Sequence, residues 1–271
     1  MNLKSVSILF VYIVLTAHAA AAKAELPKEQ LYILFSQANE AFRQANSADS
    51  SAKADKLYEK AILTYEKIIT EGQIENAGLY YNLGNAYLLK DDIGKAILNY
   101  RRAQKLDSSD TNIQKNLEFA RSQRIDKITP KARKRIMKTL FFWHYDFSLQ
   151  TKFILTCLFF AAFCITLTVI VWLGRTAISS TTAVIAGILT LLFLVSVVVE
   201  NRERTRLICG VITTQNVIAR QGDGQNYPTS FKDPLHTGTE FDVLERRSGW
   251  LHIRLSDNND GWIPSNSAEL I

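Results

Sequence analysis

The stretch Ala77–Asp110, AGLYYNLGNAYLLKDDIGKAILNYRRAQKLDSSD, decides how the first half of this chain folds. Tyr80, Leu83, Gly84 and Tyr87 recur at i, i+3, i+4 and i+7, so they share one face of a helix. Ala96, Tyr100 and Ala103 share a face of a second helix. Gly84 and Ala96 are small where two helices must approach closely, and the aromatic rings fill the space around them. Asp91, Asp92 and Gly94 interrupt the pattern between the halves. The result is a helix–turn–helix unit of 34 residues.

That period and those offsets are those of a tetratricopeptide repeat, a unit that binds other proteins and seldom does chemistry. Ser108 stands where such repeats usually carry a proline. The competing reading, ordinary amphipathic helices of an unrelated bundle, leaves the Gly/Ala/Tyr offsets over a whole repeat unexplained. A weaker copy lies upstream. Phe35, Ala38-Asn39 and Phe42 match the first helix, with Asn39 in the place of Gly84, and Ala61, Tyr65 and Ile68 match the second. The small polar run Ala45–Ser51 reads as an insertion between them. Ile113, Leu117 and Ala120 give one further amphipathic helix, a solvating cap. Residues 25–126 are therefore expected to form an all-α tetratricopeptide-repeat domain. Tyr81, Asn82, Asn85 and Leu89 lie off the packing stripe, on the helix that lines the groove of such repeats. They read either as a partner-binding groove, the asparagines bonding a bound backbone and Tyr81 and Leu89 adding apolar contact, or as plain surface.

The chain opens as a secretory signal over residues 1–24. Lys4 precedes an apolar run, Val6–Leu15, too short to span a bilayer comfortably, and Ala17-His18-Ala19 and Ala22-Lys23-Ala24 both fit a cleavage site. An uncleaved anchor is the alternative. Residues 153–173 and 177–199 carry no acidic, basic or histidine side chain and read as two transmembrane helices joined by a tight turn around Arg175. Ala183 and Gly187 are spaced for close helix contact. The lack of ionisable groups argues against a pump, channel or proton relay. With the signal exported and an even number of later spans, both soluble parts face the periplasm or exterior. Arg202, Arg204 and Arg206 argue the other way under the positive-inside rule, but a long domain translocates largely regardless of charge.

The net charge is +6, and much of it lies in Arg121, Arg124, Lys127, Lys131, Arg133, Lys134, Arg135 and Lys138. Phe141, Phe142, Trp143, Tyr145 and Phe147 follow. Residues 127–152 thus read as a basic, aromatic linker. It lies on anionic headgroups of the lipid bilayer or is a solvated charged stretch. Export and the adjoining spans argue against nucleic-acid binding.

From residue 207 to 271 the pattern changes to short alternating strands with turn signals, as in a small all-β barrel. The expected strands are Val211–Thr213, Val217–Ala219, Glu240–Leu244, Trp250–Arg254 and Gly261–Pro264. The strings Gly238-Thr239-Glu240-Phe241, Gly249-Trp250-Leu251-His252-Ile253 and Gly261-Trp262-Ile263-Pro264 resemble the bacterial SH3-type domain. Some domains of that kind bind cell-wall peptides or proteins. Tyr227, Phe231, Trp250 and Trp262 are its candidate groove residues, with barrel packing the alternative for the two tryptophans.

No catalytic constellation is visible. His144, His236 and His252 are scattered without metal-ligand spacing, and there is no phosphate loop or nucleophile elbow. Cys157 and Cys164 fall in the first span and Cys209 outside it, so neither soluble part holds a pair for a disulfide. No cofactor or metal is expected.

The order of parts, exported repeats, basic aromatic linker, two-span hairpin and SH3-type ending, resembles the BatE family of bacterial aerotolerance operons. Gly84/Ala96/Tyr100 and the Gly-Trp-Ile-Pro ending are its most specific residues here. The resemblance implies a non-catalytic scaffold in an inner-membrane envelope complex linked to oxygen or stress tolerance. It implies other envelope proteins as partners, among them von Willebrand factor A-domain membrane proteins of the same operon. The alternative is a cell-wall tether whose SH3-type domain binds peptidoglycan peptides.

Overall fold

The structure, a computed structural model, describes residues 26–128, 140–145, 147–174, 176–206 and 208–271. The signal segment, Arg175 and the basic residues Lys131–Lys138 lie outside the described residues. The chain forms two compact units, one reaching to Glu75 and one running from Asn76 to Ile271.

The first unit is a helix pair, α1 (Lys28–Asn46) and α2 (Ser51–Gly72). Ala38, Ala41 and Ala45 bury one face of α1, and Tyr58, Ala61, Ile62, Tyr65 and Ile68 bury the facing stripe of α2. Phe35 meets the Tyr65 ring edge-on at 6.3 Å, and the Tyr65 hydroxyl donates to Asn39 Oδ1 at 2.6 Å.

The second unit begins with the pair read from the sequence. α3 (Ala77–Leu89), α4 (Ile93–Leu106) and α5 (Thr111–Ser122) are each started by a side-chain cap: Asn76, Asp92 and Asp110 accept from backbone N–H groups of their first turns. Asp91 ends α3 in the left-handed region (φ 58°), making the turn. Gly84 lies under the Tyr100 ring, where a Cβ would come within 2.8 Å of two ring carbons. Tyr81 leans on the same ring with centroids 6.1 Å apart, and the Tyr100 hydroxyl donates to Asn85 Oδ1 at 2.7 Å.

The same contacts therefore recur in the two pairs: Phe35 and Asn39 on Tyr65, Tyr81 and Asn85 on Tyr100. This corrects the alignment of the weaker copy by one residue. Asn39 corresponds to Asn85, and Ala38, fully buried, stands in the place of Gly84.

Two long apolar helices follow a single helical turn at Phe142–Tyr145: α6 (Leu149–Leu173) and α7 (Ala177–Arg206). They pack along each other, and each is long and apolar enough to cross a membrane. α6 starts four residues before the expected span and α7 runs past it, so each carries a charged side chain that the sequence bounds left out. Lys152 is wholly buried between them. Its ammonium donates to Glu200 and to the His144 carbonyl, while His144 Nδ1 bonds Ser196 Oγ at 2.7 Å. Phe147 and Phe159 stack on Phe193, and Gly187 gives room to the Phe163 ring.

The chain ends in an antiparallel five-stranded sheet of order β4-β3-β2-β1-β5, with β1 Cys209–Ile212, β2 Glu240–Arg247, β3 Trp250–Arg254, β4 Asp260–Pro264 and β5 Ala268–Leu270. Ile212, Val217, Leu235, Phe241, Leu251, Ile253 and Ile263 form its core. The segment Val217–Ala219 is not a strand. Val217 bridges to Leu235, and the next residue, Arg220, to Thr229 and Trp262. Ala268–Leu270, unmarked in the sequence, instead pairs with β1.

Candidate protein-interaction surfaces

Within the second unit the helices and the sheet, some eighty residues of chain apart, pack directly on one another. The centre of this dock is Glu240, the first residue of β2. Arg121 on α5 donates to both its carboxylate oxygens, from Nε and Nη2, each at 2.8 Å. Arg124 Nη1 adds a third bond at 3.2 Å. Arg101 Nε on α4 lies 3.1 Å away as an ion pair without hydrogen-bond alignment. Burial by itself pushes the Glu240 pKa up. The hydrogen bonds and charge of Arg121, with the charges of Arg101 and Arg124, outweigh that and hold it below its ordinary value.

A second carboxylate works in the opposite direction. Asp126, just past α5, accepts from the backbone N–H of His236 at 2.7 Å, from the Thr239 hydroxyl at 2.6 Å and pairs with His236 Nδ1 at 2.8 Å. Burial opposes its ionisation, and the bonds from His236 and Thr239 more than reverse that, so its pKa too is lowered. At the far edge of the dock, Arg102 and Lys105 of α4 donate to backbone oxygens of Leu270 and Ile271 at 3.0 and 3.1 Å.

Glycines set how close the parts come. A Cβ at Gly94, the second residue of α4, would fall on Thr237 Oγ1. Gly94 is therefore a docking residue and not the turn former that its place in the sequence suggests. Gly238 combines a positive φ of 87° with Ile97 and Arg124 side chains 3.1 Å from where a Cβ would stand, so a side chain there is both strained and crowded. A cavity of about 410 Å³ remains beside Glu240, reaching Cys209. Burial and the neighbouring Asp242 push the Cys209 thiol up, so it is held protonated.

The arginines correct the reading of the basic run. Arg121 and Arg124 are turned to Glu240 and not to lipid headgroups.

The four expected groove residues of α3 divide. Tyr81 and Asn85 are committed internally: Asn116 of α5 donates to the Tyr81 hydroxyl at 3.1 Å and to Asn85 Oδ1 at 2.8 Å. Asn82 is half-buried, and Leu89 is exposed at the helix end. Burial, then Tyr81, raises the Tyr100 pKa, so the phenol stays a donor to Asn85.

The sheet residues also divide. Trp262 is buried, with the His252 ring stacked on it at 4.7 Å and the Arg247 guanidinium 4.7 Å from its centroid. Trp250 is half-buried opposite Pro264 on the neighbouring strand. Tyr227 is exposed and closes over Gly222. Phe231 packs on the sheet core and lines a cleft of about 740 Å³. Asp126, Asp233, Asp257 and Asp260 line it against two lysines, Lys127 and Lys232. Phe231 is thus brought into an acidic cleft, while Trp262 is sealed and Tyr227 stands apart from that cleft's lining. The dock residues Glu240, Arg121, Asp126 and Gly94 were not singled out as a site from sequence, since nothing local marks a long-range ion pair. The charged residue of opposite sign opening β2 was the one available hint.

No protein-family model matches the chain, and no curated protein matches it.

Proposed function

We propose that this chain is a non-catalytic scaffold of the bacterial inner membrane that bears tetratricopeptide repeats and an SH3-type domain, with the second repeat docked on that domain as an interaction platform beside a two-helix membrane anchor. The observation that carries the proposal is the grip of Arg101, Arg121 and Arg124 on Glu240 across the intervening hairpin. A chain that crosses a bilayer twice between its helices and its sheet returns to the side it left. The dock needs that return, and the signal segment favours the periplasmic side. The recurring Phe/Tyr–Asn–Tyr contacts in both helix pairs support the repeat reading. The resemblance to the BatE family supports an envelope complex linked to aerotolerance, with other membrane proteins, including those bearing von Willebrand factor A domains, as partners.

Leu89, exposed at the end of α3, is the residue of that helix we assign to partner contact, because Tyr81 and Asn85 already bond Asn116. Crosslinking in intact membranes followed by partner identification tests this. Leu89→Arg should abolish the crosslinked product while leaving the helical signal intact. Wild-type yield from that variant removes α3 from the mechanism.

A second reading is favoured by the acidic cleft. Phe231 at its wall and Asp233, Asp257 and Asp260 at its rim suit an amine-bearing peptide, as in the cell wall. Sedimentation with purified peptidoglycan distinguishes this tether from the protein scaffold. Binding that is lost in Asp233→Lys supports the tether, and absence of binding by the unmodified chain removes it.

A further inference from the structure

The cleft that Phe231 lines draws its walls from both sides of the dock. Ile125, Asp126, Lys127 and Ile128, from the stretch that follows α5, form part of it, and the sheet loops around Phe231, Asp233 and Asp257 form the rest. That stretch is held to the sheet at two points. The Asp126 carboxylate accepts from the His236 backbone N–H and the Thr239 hydroxyl, and Ile128 packs on the sheet core. A dock that loosens takes one wall of the cleft with it.

The charged groups of the cleft divide by whether they are already committed. Asp126 is taken by His236 and Thr239, Asp260 by His252 at 2.8 Å, and Asp257 by Asn259 of its own loop. Asp233, Lys232 and Lys127 are exposed and make no hydrogen bond or ion pair among the described residues. Asp233 and Lys232 belong to the sheet side, whereas Lys127 belongs to the helical side. Ile125, also exposed, adds apolar surface on the helical side as Phe231 does on the sheet side. A peptide with a side-chain ammonium and a terminal carboxylate therefore finds a free carboxylate on one wall and a free ammonium on the other.

We propose that the dock completes this cleft: an amine-bearing peptide sets its ammonium on Asp233 and its terminal carboxylate on Lys127, and so binds the docked state in preference to the undocked one. This rests on the reading of the cleft as a site for a cell-wall peptide, and adds that site and dock are coupled. A ligand touching both walls has contacts in the docked state that the undocked state lacks. It pulls the helices onto the sheet, and whatever weakens the dock weakens the ligand by the same factor. Contact with the cell wall is thereby converted into how firmly α4 and α5 are held on the sheet.

The test uses the full chain in detergent and, as probe, the tripeptide L-alanyl-D-isoglutaminyl-L-lysine, with its ε-acetylated form as control. Calorimetry gives the affinity. A short bismaleimide across Lys105→Cys and Ile271→Cys, with the native cysteines replaced by serine, gives the docked fraction. Glu240→Gln, outside the cleft lining, and Arg102→Ala, at the far edge of the dock, should each lower that fraction. The affinity should fall in the same proportion, about fivefold where a fifth of the chain stays docked. Saturating tripeptide should restore the crosslink yield in both variants. Lys127→Ala should weaken binding while leaving the docked fraction of the free chain unchanged. Wild-type affinity in a variant whose docked fraction has fallen, or a reduced crosslink yield that the tripeptide does not raise, overturns the coupling and leaves a site on the sheet alone. Wild-type affinity in Lys127→Ala overturns it whatever the dock variants do. A wild-type chain that binds neither tripeptide, or both equally, overturns the amine-peptide reading of the cleft, and the coupling with it.

Discussion

Arg121 and Glu240 form a two-pronged ion pair, with both N–O distances 2.8 Å, between a helix and a sheet that lie on opposite sides of the apolar hairpin in the sequence. Flat guanidinium against flat carboxylate fixes orientation as well as distance. With Arg101 and Arg124 it makes Glu240 the most heavily contacted carboxylate of the dock.

Removing that carboxylate should be costly. Glu240→Ala leaves three guanidiniums facing a vacated position, and we expect a loss of about 3 kcal/mol. That is the lower end for breaking a buried ion pair, because the arginines keep some contact with water. Thermal unfolding of the full chain checks it. The double variant with Arg121→Ala should be less than additive, since the second change removes one of the stranded charges.

The dock should weaken in acid. Glu240 and Asp126 have folded pKa values below their ordinary ones. Each therefore binds a proton more readily when unfolded, and each contributes stability that is complete above the ordinary carboxylate pKa of about 4. That contribution is lost as the pH falls through the lower folded values. The unfolding temperature should be flat on this account near neutrality and fall below about pH 4. Asp126→Asn with Glu240→Gln should flatten the acid limb. An acid limb unchanged in that variant would assign the loss to other groups.

Gly84→Leu should disrupt α3 and α4, because Tyr100 already sits where the new side chain would go. Overpacking of this kind costs about 1–3 kcal/mol or more. Asn85, read from sequence as a groove or plain surface residue, is part of the packing. Asn85→Leu takes the acceptor from the Tyr100 hydroxyl, for a loss of about 1–3 kcal/mol. Leu89→Ala, at an exposed position, should change stability by less than about 0.5 kcal/mol. Denaturant titration of the three variants orders them.

Within the hairpin, Glu200→Ala should strand the Lys152 ammonium and cost about 3–5 kcal/mol. Replacing both partners, Lys152→Met with Glu200→Gln, should recover most of that loss. Resistance to unfolding in detergent reads the difference.

The helices were legible because each carries its own periodic stripe and cap: Tyr80/Leu83/Tyr87 after Asn76, Ala96/Tyr100/Ala103 after Asp92, Ile113/Leu117/Ala120 after Asp110. The apolar helices and four strands were legible for the same local reason. Lys152 escaped notice because the span was bounded by hydropathy, whereas the helix is bounded by its Ser148 cap. The weaker copy was misaligned by one because both Ala38 and Asn39 fit a small-residue position, and only the partner of Tyr65 decides between them. The β5 strand is three residues long and is defined by β1, not by its own pattern. The dock was illegible for the deepest reason. Gly94 reads as a turn glycine and Arg121 as part of a basic run until the residues that meet them, Thr237 and Glu240, are known.

The central claim, that helices and sheet are docked on one side of the membrane, is tested most directly by a crosslink across the dock. Lys105→Cys with Ile271→Cys, in a chain whose native cysteines are replaced by serine, puts two thiols within about the length of a lysine side chain, since Lys105 Nζ lies 3.1 Å from the backbone oxygen of Ile271. A short bismaleimide added to intact membranes should give an intramolecular crosslink in most of the chain, seen as a shift in gel mobility. Glu240→Ala in the same background should reduce its yield. Free thiols persisting in the treated double-cysteine chain, with Glu240 intact, would contradict the dock.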